Sequence, residues 1–181
     1  MQDSTLRPGG WREAWAGTRF RRQAWATCIA LPLTLAALSR FLLWVEQRPG
    51  VVLDDPLLAL LTPRDTSLAS FALIYGGLLL ALATLLCSPH GLLRALQAYV
   101  LLVGLRILFM WLTPLDPPEG LVALRDPLVE SLGPGATLTR DLFFSGHTST
   151  LFLLALCVPF RWTRWILLLA TAGVAFLLLV Q

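Results

Sequence analysis

Lysine is missing altogether: the 14 basic residues of this 181-residue chain are all arginine. Charge is scarce in general, with 14% of residues charged against 56% hydrophobic, where a soluble domain carries about a quarter charged. The arginines form no extended polar face, which excludes nucleic acid as a partner. Histidine occurs twice and cysteine three times. Cys28, Cys87 and Cys157 lie in apolar stretches without Cys-x-x-Cys spacing, so they read as small core residues rather than disulfide partners or metal ligands. No internal repeat and no pair of broken hydrophobic segments is present, which argues against a small transporter. The layout of a cleaved signal peptide is missing too. A polar stretch of 23 residues precedes an apolar segment long enough to span, which reads as an uncleaved anchor.

What is present is apolar sequence in long blocks rather than on one helix face. Five blocks stand out: about Trp25 to Val45, Ser67 to Cys87, Leu92 to Leu112, Ser145 to Phe160 and Trp165 to Val180. The first three each have the roughly 20 residues that cross a bilayer as helix. The fourth spans if its polar start forms the first turn, and the fifth is slightly short. Lipid offers no water to satisfy backbone groups, so the spans must be helical. The expected fold is all-α, a polytopic transmembrane helix bundle with five helices visible of six. Residues 1–23 are expected to be a cytoplasmic amphipathic tail, and 24–181 a transmembrane domain that is incomplete at its C-terminus. Within the tail, Trp11 and Trp15 stand four apart among arginines, which suits a short helix on an anionic membrane surface.

Arginine placement orients the spans. Arg7, Arg12, Arg19, Arg21 and Arg22 precede the first block, Arg94 follows the first short turn, and Arg161 and Arg164 flank the second. The long loops 46–66 and 113–144, together with their flanks, hold 9 of the 11 acidic residues: Glu46, Asp54, Asp55, Asp65, Asp116, Glu119, Asp126, Glu130 and Asp141. The N-terminus is therefore expected in the cytoplasm and the long loops on the opposite face. Trp25, Trp162 and Trp165 fall at the inner interface and Trp44 and Trp111 at the outer one, as an aromatic belt requires.

Two arginines lie inside spans, where a charge is costly and marks function by default. Arg40 sits near the outer end of the first span and can snorkel outward, a structural role. Arg106, in "VGLRILFMWLTP", sits at similar depth and can grip a phosphate with its planar fork. On the same side "RDLFFSGHTSTLFLLAL" opens the fourth block. Ser145, Gly146 and Thr148 begin a helix whose unpaired N–H groups favour an anion, and Gly146 permits close backbone approach. Asp141 can orient the His147 imidazole or cap the helix. His147 then reads in two ways: as an acid, base or nucleophile on phosphate, or as an interfacial residue at a capped helix start. His90 lies on the other side and reads as a turn residue. In "LDDPLLALLTPRDTS" the paired acids Asp54 and Asp55 read as loop structure rather than a metal site, with no His or further acid nearby.

The segment "RDLFFSGHTSTLFLL" resembles the central motif of the sphingomyelin synthase-like branch of the type 2 phosphatidic acid phosphatase superfamily. "LRILFMWLTPLDPP" is similar to the preceding helix of that branch, and Asp54 to Pro56 stand where the family has an acidic, proline-containing motif. The resemblance covers roughly residues 40–180. It implies a six-helix membrane enzyme acting on phospholipid head groups or lipid phosphates at the non-cytoplasmic face, with no cofactor and no metal. It also implies two histidines, one that handles the leaving group and one that attacks phosphorus to form a phosphohistidine. His147 matches the first, with Asp141 beside it as the other catalytic residue. Arg106, Ser145, Gly146 and Thr148 would bind the substrate phosphate.

The second histidine of the family, followed by an Asp, falls past Gln181. The chain is therefore expected to be either a fragment of a longer enzyme or a degenerate relative, and in both cases the 181 residues are expected to be catalytically incompetent. The expected partners are a phospholipid or lipid phosphate substrate and the bilayer, with the oligomeric state left open. The alternative is a non-catalytic membrane protein that binds lipid or assists assembly through the same groove.

Overall fold

A computed structural model describes residues 10–53, 62–118, 122, 124, 138–143 and 145–181. Among these residues the six helices are α1 (Trp11–Ala16), α2 (Thr18–Val45), α3 (Ser67–Leu85), α4 (Pro89–Leu112), α5 (Gly146–Cys157) and α6 (Arg161–Val180). Four of them, α2, α3, α4 and α6, are long and apolar enough to cross a membrane. The chain is an all-α helical bundle and an integral membrane protein, as its apolar blocks predict. Asp54 and Asp55 lie outside the described residues.

The helices begin and end where local chemistry stops them, which is not always where hydropathy changes. α2 starts at Thr18 and α6 at Arg161, four to seven residues ahead of their apolar blocks, because arginine is a good helix former and continues the helix into the polar interface. Ser88 caps α4 by accepting from Gly91 N, with Pro89 at the first helical position, where its missing N–H costs nothing. α5 ends at Cys157 and Val158 is extended (ψ 141°), because Pro159 disfavours the helical region for the residue before it.

α5 has 12 residues, about 18 Å of helix, less than the roughly 30 Å hydrocarbon core. Gly146 lies against the Arg106 side chain, and Arg106 stands six residues before the end of α4. The Cα of Arg106 is thus about 9 Å along the helix from the end of α4, and its side chain reaches the start of α5. The fourth block is a short helix whose start meets the side chain of Arg106.

The core lies among α3, α4, α5 and α6. Phe71, Ile74, Ala81 and Leu85 of α3, Ala95 of α4, Leu151, Leu154 and Ala155 of α5, and Leu167 and Val174 of α6 form one buried cluster. Small residues let these helices approach closely, as packing within lipid demands. Gly77 shows how closely: a Cβ there would lie 2.7 Å from Leu151 Cδ2. Gly77→Val is expected to destabilise the bundle by about 1–3 kcal/mol, the usual range for overpacking. The check is the midpoint of detergent-induced unfolding, and an unchanged midpoint would show that α5 can slide away freely.

α2 stands to one side and packs on α4 and α1. Trp25, Ile29 and Leu33 on its outer surface are exposed and face lipid. The cysteines are not the core residues expected from their setting: Cys28 and Cys87 are exposed and Cys157 is half-buried, and all are free. A small side chain in an apolar block has no sequence mark that tells a lipid-facing position from a core one. Arg40 is likewise exposed on α2, consistent with a snorkelling role.

Candidate functional site

At the end of the bundle that carries the long loops, α4 brings Arg106 to the start of α5. The guanidinium rests directly on Gly146, so closely that a Cβ at that position would lie 2.8 Å from Cζ. The contact exists because residue 146 has no side chain. Arg106 Nη2 forms an ion pair with Asp141 Oδ2, and the side chains are only 14% and 21% exposed. Arg106 Nε and Asp141 Oδ1 are buried with no hydrogen-bond partner among the described residues. A buried cation with unspent donors stands beside a helix start, where the dipole favours negative charge.

Asp141 thus pairs with Arg106, a partner that the sequence reading did not assign to it. The guanidinium reaches the start of α5 and meets the carboxylate there in a charge-assisted pair. His147, the second residue of α5, is half-buried and stands edge-on to Phe71 of α3, with ring centroids 5.5 Å apart at 87°. Phe71 is 2% exposed, so one wall of the imidazole's surroundings is rigid core.

Ser145 caps α5, its Oγ accepting from Thr148 N at 3.3 Å. It also donates to Thr148 Oγ1 at 3.0 Å. Of the first-turn N–H groups that have no helical carbonyl to bond, the one on Thr148 is thus already taken. Ser149 Oγ and Thr150 Oγ1 turn back onto the carbonyls of Ser145 and Gly146, at 2.7 and 2.6 Å. The structure therefore brings Arg106, Asp141, Gly146 and His147 to one place, with Ser145 and Thr148 paired to each other at its rim.

A second set of charges, which sequence reading took only as a mark of topology, fixes the segment before Asp141. Glu46, at the end of α2, accepts from the backbone N–H groups of Thr139 and Arg140, both at 2.7 Å, and from Thr139 Oγ1 at 3.1 Å. Arg140 pairs with Asp116 at 2.8 Å and donates to the Glu46 and Arg48 carbonyls at 2.8 and 2.9 Å. Val51 and Leu115 form a single parallel bridge, and Asp116 also accepts from Gly50 N at 3.1 Å. Arg48 donates to the carbonyls of Met110 and Trp111 at 2.7 and 2.9 Å, which satisfies the open end of α4. The ends of α2 and α4 and the approach to α5 are thereby tied together, so Asp141 enters the bundle from a held position. The only sequence signal for this clamp was the gathering of acids and arginines in the two long loops.

His90, the chain's other histidine, opens α4 at the far end, roughly 24 Å along the helix from Arg106, and takes no part in this site. Comparison of the chain with protein-family models, with curated proteins and with solved structures gives no match.

Proposed function

We propose that this site binds the phosphate of a lipid and forms half of a phosphoryl-transfer centre, in a membrane phosphatase or head-group phosphotransferase of the kind its motifs resemble. The observation that carries the reading is the Arg106 guanidinium laid on Gly146 at the start of α5. A planar cation and a helix N-terminus there converge on one point, and each favours a phosphate. By the distribution of arginines the site faces away from the cytoplasm.

In the reaction the P–O bond to the leaving group breaks, and the departing oxygen takes a proton from His147 acting as general acid. The negative charge on the remaining phosphoryl oxygens is held by Arg106 and the first turn of α5. The phosphoryl group must pass to a nucleophile, which the resemblance assigns to a second histidine. Neither His147 nor the distant His90 fills that place, so the 181 residues account for binding and leaving-group protonation only.

One observation favours the non-catalytic reading. Asp141 already neutralises Arg106, an arrangement that also suits a site that binds lipid without turning it over. Both readings require phosphate recognition, which is the first thing to measure. A short-chain phosphatidate titrated into the detergent-purified chain should bind at least about tenfold more tightly than the matching diacylglycerol, the gain of one charge-assisted contact. Equal affinity would remove the phosphate from the proposal and leave a plain apolar groove.

A further inference from the structure

We infer that the opposite end of the bundle holds a second lipid site, a pocket for the phosphate of an anionic phospholipid between α1, α2 and the start of α4. The pocket has a volume of about 780 Å³, and its polar lining is Glu13, Arg19, Gln23, His90, Arg94 and Gln97. Ala14, Phe20 and Leu93 form an apolar floor. Arg19 and Gln23 also line an adjoining cavity of about 670 Å³ that continues along α2 to Ala26.

The pocket is built rather than accidental. Gly17 separates α1 from α2, and the bend folds α1 back onto the bundle. Trp11 Nε1 donates to the Leu86 carbonyl at 2.8 Å, which pins α1 to the turn before α4. Trp15, Phe20 and His90 follow one another in ring contacts of 5.7 and 5.0 Å. Three elements distant in sequence are thus locked around one cavity. His90, which reads as a turn residue in the sequence, becomes part of its wall.

Its charge is unspent. The two ion pairs found among the described residues both lie at the other end of the bundle, so neither Arg19 nor Arg94 has a carboxylate partner among the described residues. Arg94 Nε donates to the His90 carbonyl at 3.2 Å. Arg12, Arg21, Arg22, Arg161 and Arg164 stand at the same end, where Glu13 is the one acid among the described residues. Such a cluster attracts negative charge.

The surroundings select a lipid over a free ion. Trp11, Trp15 and Trp25 are exposed around the pocket, as at a membrane interface. The adjoining cavity ends at Ala26, and about one and two helical turns further along α2 stand the exposed Ile29 and Leu33, along which acyl chains can lie. The two arginines and two glutamines offer donors to phosphate oxygens, and the apolar floor receives the glycerol end.

Native mass spectrometry of the full chain, purified in detergent and supplied with equal phosphatidylglycerol and phosphatidylcholine, tests the assignment. Arg106→Met together with Asp141→Leu, which removes the cation of the site at the start of α5, should still retain one phosphatidylglycerol per chain, as should the wild type at this pocket. The Arg19→Gln/Arg94→Gln variant should lose retention about thirtyfold, the expected effect of two interfacial arginines. The Arg12→Gln/Arg161→Gln variant, with the same net charge, should keep it. The Arg19→Lys/Arg94→Lys variant should recover much of the binding and so show that the pocket still forms. Equal loss in both glutamine pairs, or none in the first, would overturn the site. Displacement of the lipid by excess inorganic phosphate would show a free-anion site and would equally overturn the lipid assignment.

Discussion

Asp141→Ala is expected to destabilise the bundle by about 2–3 kcal/mol, towards the low end for a broken buried ion pair because both partners keep some exposure. The loss comes less from the attraction removed than from the charge left behind. Without Asp141 the Arg106 guanidinium stays largely buried with no carboxylate to offset its desolvation. Arg106→Met should cost a similar amount by stranding Asp141. Arg106→Met together with Asp141→Leu should return to within about 1 kcal/mol of the wild type, since well-packed apolar pairs replace buried ion pairs at little cost. Unfolding midpoints for the four proteins form a complete double-mutant cycle. If the double variant is as unstable as the two singles added together, the residues are not coupled, and the pairing does not hold the site.

The second expectation sets two glycines against each other. Around Gly76 of α3 a Cβ would meet nothing within 4 Å, whereas at Gly146 it would lie 2.8 Å from Arg106 Cζ. Gly76→Ala should therefore stabilise the helix by about 0.5–1 kcal/mol through lost backbone entropy in the unfolded chain. Gly146→Ala should destabilise by about 1–3 kcal/mol. A free arginine tip would swing aside at little cost, but this one is anchored to Asp141, so either the ion pair or the start of α5 must shift. Thermal unfolding of both variants reads the sign directly. Stabilisation at both positions would mean that the guanidinium moves easily and that its contact with Gly146 is incidental.

The bundle itself was legible because apolar blocks of bilayer length leave few alternatives to helices in lipid. Helix ends were less so. The arginines at 19, 21, 22, 161 and 164 mark the membrane edge by hydropathy, yet they continue the helices beyond it. The end of α5 followed from Pro159, a local signal that hydropathy hides. At the site, the individual members Arg106, Gly146 and His147 were legible from residue type and position. The partnership of Arg106 with Asp141, 35 residues apart, was not. It depends on the clamp of Glu46, Asp116 and Arg140, which fixes the segment before Asp141 and arises from loops that carry no periodic signal. Nearness in sequence pointed from Asp141 to His147, and only nearness in space reveals its pairing with Arg106.

The most direct test of the central claim is a calorimetric titration of short-chain phosphatidate into the purified wild type and into Arg106→Lys. Lysine keeps the charge and loses the planar fork, so the comparison isolates the geometry on which phosphate recognition is argued. The account predicts affinity about 10- to 100-fold weaker for the lysine variant, the loss of one charged hydrogen-bonding contact of about 1.5–3 kcal/mol. Equal affinity in the two proteins would contradict it and would leave Arg106 as a structural partner of Asp141 alone.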